Sequence, residues 1–217
     1  MTIDSGLCLL GVSRETELRL LRYVDLIKEW SPAINLVSKN EDLWQRHIID
    51  SAQLAKYIEL SVEKEVTDFG SGGGLPGIVL ALLLPNPITL IESDKRKSLF
   101  LRYCVQELNL QNVIIINKRI EEIDEKATDF ITARALAPLE KLFDYTHKFF
   151  HVETTCLFPK GKNYGKEIEQ AKKTWIFEES IISSQSGDGV LLKIRKIKKK
   201  RKDDKNSKHR ESKGRSG

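Results

Sequence analysis

The sequence predicts an α/β fold: a doubly wound, mostly parallel sheet with helices on both faces. A small helical extension precedes it and an antiparallel hairpin closes it. Three observations carry this. After about residue 62, short β-branched apolar runs alternate with amphipathic helical stretches, as in successive βαβ units. The first of these runs leads into a glycine-rich loop, "DFGSGGGLPG" at 68–77, directly before a helical stretch. The last two extended runs are separated only by the turn "SSQSGDG", which suits a hairpin.

The elements follow in order. In "RETELRLLRYVDLIKEW", Leu20, Val24, Ile27 and Trp30 recur at helical spacing. Ser31-Pro32 ends that helix, because a residue before proline is pushed out of the α region. A second helix is expected after Ser38, which has capping-box spacing to Glu41. It carries Leu43, Ile48, Ala52, Ala55 and Ile58. Strands are expected at 65–69, 88–92, 113–117, 129–133 and 154–158. Between them lie helical "PGIVLALLL", "DKRKSLFLRYCVQELN", a short piece at 118–125 and "PLEKLFDYTHKFF". "YGKEIEQAKK" then leads into the hairpin "WIFEESII" and "GVLLKIRK". The expected organisation is a helical extension over 1–61, an α/β domain over 62–196 and a basic disordered tail over 197–217.

Charge is unevenly placed. Residues 195–217 hold 12 Lys and Arg against 3 Asp and Glu, leaving 24 and 28 elsewhere. The tail therefore carries +9 and the body −4. Cys8, Cys104 and Cys156 are scattered, with no CxxC or Cys/His spacing, so neither a disulfide framework nor a metal site is expected. A reducing, cytoplasmic setting is the natural one. No apolar run approaches the ~18 residues of a membrane span, and no exposed apolar stripe demands a partner, so a monomer is expected.

The glycine loop sits where an open α/β sheet binds ligands, at the carboxyl end of a strand. A nucleoside triphosphate is disfavoured because GxxxxGK[ST] is absent. A dinucleotide is a real competitor: Gly72, Gly74 and Gly77 satisfy G-x-G-x-x-G, and Glu92 ends the second strand. S-adenosylmethionine fits the neighbours better. Asp68 precedes Gly70 and can face an ammonium, Glu92 can accept from two ribose hydroxyls, and Ile120-Glu121 follows strand three, where a flat base and its amino group can be held. A purely structural turn is disfavoured because acids end two successive strands.

The reaction is narrowed by motifs that are missing. The position after the fourth strand is "TARALAP" instead of the (N/D)PP(Y/F) of amine methylation, and Cys104 and Cys156 fall inside regular elements as packing residues. The acceptor should therefore be nucleophilic already, such as a ring nitrogen, and catalysis mostly alignment. Arg134 and Lys160 stand just past the fourth and fifth strands, facing one crevice. Each suits either a phosphate or base contact or a structural ion pair. Asn35, His47, Asp50 and Ser51 form a further polar set, with Asp50 and Ser51 at i+3 and i+4 from His47. Spacing alone makes His47 a structural residue.

"INLVS", "RHIIDS", "DFGSGGGLPG", "TLIESDKRKSLFLR", "ITARALAPL" and "FPKG", in that order over about residues 23 to 194, resemble the RsmG (GidB) family. These are S-adenosylmethionine-dependent methyltransferases acting on N7 of a guanine in 16S rRNA of the small ribosomal subunit. The resemblance implies a class I methyltransferase sheet, Rossmann-like, with a helical extension. It implies donor contacts at Gly70, Leu75, Glu92, Ser93, Asp94, Ile120, Glu121 and Arg134; Asp68 and Gly72 are further donor-side candidates beside them. It places Asn35, His47, Asp50, Ser51, Arg134 and Lys160 on the RNA side, with Arg134, His47 and Lys160 as catalytic candidates. The loop departs from the family at Gly73 and Leu75, where alanine and phenylalanine are usual, and the basic tail is extra. Two alternatives stay open: an NAD(P)-dependent oxidoreductase on the same scaffold, and a non-catalytic RNA-binding assembly protein using the tail.

Overall fold

Ser13 opens the first helix, α1 (Arg14–Trp30), its hydroxyl accepting from the Thr16 amide at 3.2 Å. Glu15 and Glu17 in the first turn and Lys28 in the last suit the helix dipole. Its buried face is Leu20, Tyr23, Val24, Leu26 and Ile27. The structure, a computed structural model, describes residues 11–38, 42–185, 187 and 189–201. Glu41, Cys8 and the basic run from 202 onward lie outside these residues, and with them the expected capping box and most of the expected tail.

The second helix is not the regular one that spacing suggests. Trp44–Ile49 is a π-helical turn, Asp50–Ala52 a short α-helical piece (α2) and Gln53–Tyr57 a 3-10 helix. Residues 47–54 are buried without a break. An amphipathic α-helix would show alternating exposure there, so the segment is wedged between neighbours on more than one side. The wider π turn also means that i+3 and i+4 counting does not place His47 relative to Asp50 and Ser51.

The remaining elements are β1 (Val66–Phe69), α3 (Gly77–Leu83), β2 (Ile88–Ile91), α4 (Lys95–Glu107), β3 (Val113–Ile116), a 3-10 turn at Ile120–Glu122, β4 (Phe130–Thr132), α5 (Leu139–Thr146), β5 (Thr155–Lys160), α6 (Tyr164–Thr174), β6 (Trp175–Ser183) and β7 (Val190–Lys199). Among the described residues the seven strands form one sheet in the order β3-β2-β1-β4-β5-β7-β6. The first five are mutually parallel, and β7 runs antiparallel to both β5 and β6. This is the expected sheet with its closing hairpin. Pro76 caps α3 and is not its first residue. β7 runs to Lys199, so the sheet takes up three residues that composition had assigned to a disordered tail.

Two apolar layers cover the sheet. On one face Tyr23, Leu26 and Ile27 of α1 join Ile78 and Leu80 of α3 and Phe100, Leu101 and Cys104 of α4 in a single cluster. On the other, Phe143 of α5 stacks against Trp175 and Phe177 at 5.5 and 5.2 Å between ring centroids. The helical extension therefore shares a core with the first half of the sheet.

One contact reaches from that extension to the glycine loop. Tyr23 is fully buried, and its hydroxyl donates to the Gly73 carbonyl. Burial pushes the phenol well above its usual value, so it stays protonated and remains a donor. Tyr23→Phe removes the donor and leaves a buried carbonyl short of a partner, at a cost of about 1–3 kcal/mol. For a chain of this length the melting midpoint should fall by roughly 2–10 °C. A midpoint equal to wild type would show that the bond contributes nothing.

Candidate active site

β1 and β4 are neighbours in the sheet although β2 and β3 intervene in the chain. Strand order reverses at that junction, and a crevice opens outside the carboxyl ends of the two strands. The glycine loop leaves β1 on one side of it, and Arg134 follows β4 on the other.

The loop is tied to the end of β2. The amides of Gly70 and Ser71 donate to the Ile91 carbonyl at 2.9 and 3.0 Å. Gly72 N donates to Glu92 Oε2 at 2.7 Å, and Asp94 N to Glu92 Oε1 at 2.7 Å. The amides of Gly74 and Leu75 turn back to Ser71 O. Five successive opportunities for anion binding, with only the Gly73 amide between them, are thus already spent inside the protein. A pyrophosphate needs such amides turned outward. The G-x-G-x-x-G spacing is present, but the groups that would grip a dinucleotide are engaged, one of them by a carboxylate.

Two glycines have steric reasons. A Cβ on Gly77 would come 2.2 Å from Leu90 Cδ2, so α3 can lie on β2 only without a side chain there. A Cβ on Gly70, which has φ +68°, would come 2.7 Å from Leu136 Cδ1.

Asp68 is not on the surface of the loop but beneath it, with no exposed area. The β1–β4 register sets it beside Thr132, whose hydroxyl donates to Oδ1 at 2.7 Å. Oδ2 is buried against the Gly77 backbone and meets no donor at hydrogen-bonding geometry. Burial pushes the carboxyl up to about 7, against the opposing pull of Thr132, Ser71 and the Gly77 backbone, and the charge of Glu92 adds a smaller push. An acid held this way gains from a cation placed over it. The expectation that it faces an ammonium directly becomes one in which it sits in the floor.

The other donor-side candidates are placed as follows. Glu92 is buried, and each of its oxygens has a lone pair beyond the amide it accepts. Asn117 Nδ2 donates to the Glu92 carbonyl at 2.7 Å, joining the ends of β2 and β3. Ser93 and Asp94 are exposed, and Asp94 caps α4 by accepting from the Arg96 and Lys97 amides at 2.8 and 3.2 Å. Those backbone bonds, the Lys97 one foremost, hold its carboxyl below the usual value. Ile120 is buried at the head of its 3-10 turn and Glu121 beside it is exposed. Leu75 is buried in the apolar layer under the loop. An orphaned buried carboxylate oxygen, a carboxylate closing the loop and an apolar residue followed by an acid fit a donor with a cationic tail, a ribose and a flat base.

On the acceptor side lies a cleft of about 840 Å³. Asp50, Arg134 and Lys160 line it together; Asn35, His47 and Ser51 are not in its lining. Asn35 is exposed in the turn after α1, next to Leu36, which packs over Gly73. His47 and Ser51 are buried in the irregular helical segment. Arg134 Nη2 donates to the Arg46 carbonyl at 2.8 Å, and its Nε lies 3.6 Å from Asp50 Oδ2. Asp50 Oδ1 accepts from Gln53 Nε2 at 2.7 Å and from Ser184 Oγ at 3.0 Å. Lys160 donates to the Ala137 carbonyl at 2.8 Å and pairs with Glu167 at 2.8 Å. The loop and the cleft meet at Leu136, which lines the cleft and touches Gly70.

Several of these participants carry no local signal. Tyr23 belongs to the apolar face of α1, and nothing near it points to a loop 50 residues away. Ser184 sits in a hairpin turn, and Thr132 is one β-branched residue among many. Glu167 looks like one of several charges on α6.

Cys104 and Cys156 are free and buried, and burial pushes both thiols up. Neither is a nucleophile at neutral pH. Among the described residues no helix is long and apolar enough to cross a membrane.

A family model described as "GidB: rRNA small subunit methyltransferase G" matches residues 16–189. A protein of Gluconobacter oxydans (strain 621H) named ribosomal RNA small subunit methyltransferase G is 44% identical over 191 residues, covering 87% of this chain and 97% of that protein. One of the same name from Ruegeria sp. (strain TM1040) is 42% identical over 199 residues, covering 88% and 95%. Among solved structures, a mutant of MtNAS in complex with S-adenosylmethionine is similar with a TM-score of 0.57 at 16% identity, over 89% of this chain and 84% of that one. At that identity the likeness concerns the fold alone.

Proposed function

The chain belongs to the GidB family of rRNA small subunit methyltransferase G, and on that premise we propose that it transfers a methyl group from S-adenosylmethionine to N7 of a guanine in 16S rRNA. The carrying observation is the pair of half-sites at the strand-order reversal. A closed, acid-floored loop lies on one side, and an open cleft holding Arg134 and Lys160 lies on the other.

When bound, S-adenosylmethionine supplies a methyl group on a positively charged sulfur. The residues of this chain do the rest by placement. Asp68 and Glu92 put negative charge below and beside a cationic donor. Gly72 and Leu75 shape the loop, Ser93 and Asp94 continue the wall past Glu92, and Ile120 with Glu121 takes the base. Asp50 and Arg134 with Lys160 line the acceptor cleft, and Asn35, His47 and Ser51 build the segments beside it. A guanine N7 has a free lone pair and no proton to lose, so neither a general base nor a thiol nucleophile is required. Alignment of the two reactants is the main contribution, of the kind that can reach roughly 7–11 kcal/mol.

The acceptor is an unpaired, splayed-out guanine within folded RNA, since N7 must face the donor edge-on. The protein acts as a monomer in the cytoplasm. In support, among the described residues the exposed large apolar side chains are divided among α1 (Leu18), the Leu60–Val62 loop, α4 (Leu99), β3 (Ile114), the loop at Val152 and β6 (Ile176 and Ile181).

The test is incubation with labelled donor and small subunits, or 16S rRNA, lacking the mark. Label at one guanine is the expected result. No incorporation under conditions where calorimetry shows donor binding would sink the proposal. Tighter binding of NAD(H) than of S-adenosylmethionine would return the dinucleotide reading.

A further inference from the structure

We infer that Glu167 is a positioning residue for the reaction, acting through Lys160 and the Leu139 amide on the segment 134–138 that presents Arg134. The inference rests on the proposed methyl transfer. Glu167 lies on α6, away from the sequence motifs of the site. Its Oε2 accepts from Lys160 Nζ at 2.8 Å and from Leu139 N at 2.9 Å. Lys160 Nζ donates in turn to the Ala137 carbonyl at 2.8 Å, and its side chain is only 9% exposed. One carboxylate thus fixes the segment at two points, directly at its far end and through the lysine near its middle.

The segment has reason to need this. Ala135, next to Arg134, has φ +53°, a left-handed conformation that a Cβ disfavours and that persists only where the surroundings enforce it. Leu136 packs on Gly70, so any shift of the segment is felt in the donor loop. α5 then starts at Leu139 behind Pro138, which supplies no side-chain cap; Glu167 takes that place, with its charge at the favourable end of the helix dipole. Donor loop, arginine and acceptor cleft therefore meet at one strained segment, and Glu167 holds its far end as Arg46 and Asp50 hold Arg134 at its start. Lys160 is committed to the same task in this arrangement, through Ala137.

The experiment compares full-length wild type, Glu167→Ala and Glu167→Gln, with Ala135→Gly also placed in the Glu167→Ala chain. Two readouts are taken: amide hydrogen exchange over 134–139 without substrate, and kcat and KM for methyl transfer to unmarked small subunits. Glu167→Ala should speed exchange in that segment and lower kcat by about tenfold or more, with both KM values moving far less, as expected for misplacement. Glu167→Gln keeps an acceptor oxygen and should recover much of the loss. Ala135→Gly should recover part of it, because glycine adopts the left-handed conformation without strain. Exchange unchanged in Glu167→Ala, or a kcat within about twofold of wild type, would overturn the inference. So would a joint fall in kcat and melting midpoint that neither second variant relieves. A wild type with no methyl transfer defeats the proposed function instead, and the exchange readout then still decides whether Glu167 holds the segment.

Discussion

Arg134→Ala is expected to lower the single-turnover rate of methyl transfer by about a hundredfold to a thousandfold, the usual effect of removing one preorganised polar group from a reaction centre. Arg134 stands at the strand-order reversal with its side chain 20% exposed, between the donor loop and the cleft. Its planar guanidinium is held by the Arg46 carbonyl at 2.8 Å and by Asp50 at 3.6 Å. Asp50 is in turn held by Gln53 and Ser184. Arg134→Lys keeps the charge but loses the fork that meets two partners at fixed angles. It should therefore recover only a small part of the rate. Both variants leave Asp50 with a weakened partner, so a loss of stability of about 1–3 kcal/mol should accompany them. Single-turnover assays with donor binding measured separately decide the matter. A rate within about tenfold of wild type for Arg134→Ala would remove Arg134 from the reaction centre.

Asp68→Asn is expected to weaken donor binding and, in the opposite direction, to change how stability depends on pH. The Asp68 carboxyl titrates at about 7 in the folded chain, because burial disfavours its charge, against about 4 when unfolded. Between those values the folded chain binds the extra proton. The favourable contribution of the protonated form is complete below about pH 4 and is lost as pH rises through 7. At pH 8 the buried charge costs up to about 4 kcal/mol relative to acid conditions. An asparagine cannot ionise and lacks that slope, although its amide lies against the Gly77 backbone with a cost of about 1–3 kcal/mol. The difference in melting midpoint, variant minus wild type, should therefore grow in favour of the variant from about pH 5 to about pH 8. Donor affinity should behave oppositely. In the wild type it should tighten as pH rises toward 7, because a cationic ligand tail favours the ionised acid. In the variant it should be weak and flat. A midpoint difference that does not change with pH would show that Asp68 is ionised throughout.

Much of the fold was legible because it is written in local chemistry. Val66–Phe69, Ile88–Ile91 and Val113–Ile116 are β-branched runs bounded by breakers, and a strand of that kind needs no distant partner to be recognised. The same holds for α1, with its period of apolar residues, and for the Gly/Ser turn of the hairpin. The segment 44–57 was not legible in the same way. Its composition favours a helix, but burial on more than one side replaced the regular α-helix by a π turn, a short α-helical piece and a 3-10 turn. The β7 boundary erred for a related reason. Lys198 and Lys199 look like a solvated tail, yet pairing with Ile176 and Trp175 carries them into the sheet.

The candidate site divides along the same line. Residue type and order were enough to establish the parallel sheet, the loop at the end of β1, the acids ending β1 and β2, and the absence of an amine or thiol motif for catalysis, since each is a property of a few neighbouring residues. Packing alone decided that Asp68 lies under the loop, that the loop amides turn inward to Ile91, Ser71 and, for Gly72, Glu92, and that Tyr23, Ser184 and Glu167 brace the site. Tyr23 meets Gly73 across 50 positions, Ser184 meets Asp50 across 134, and Leu139 meets Glu167 across 28. Contacts of that kind depend on where whole elements come to rest against one another, and on how much water they exclude there, which no short stretch of residues encodes.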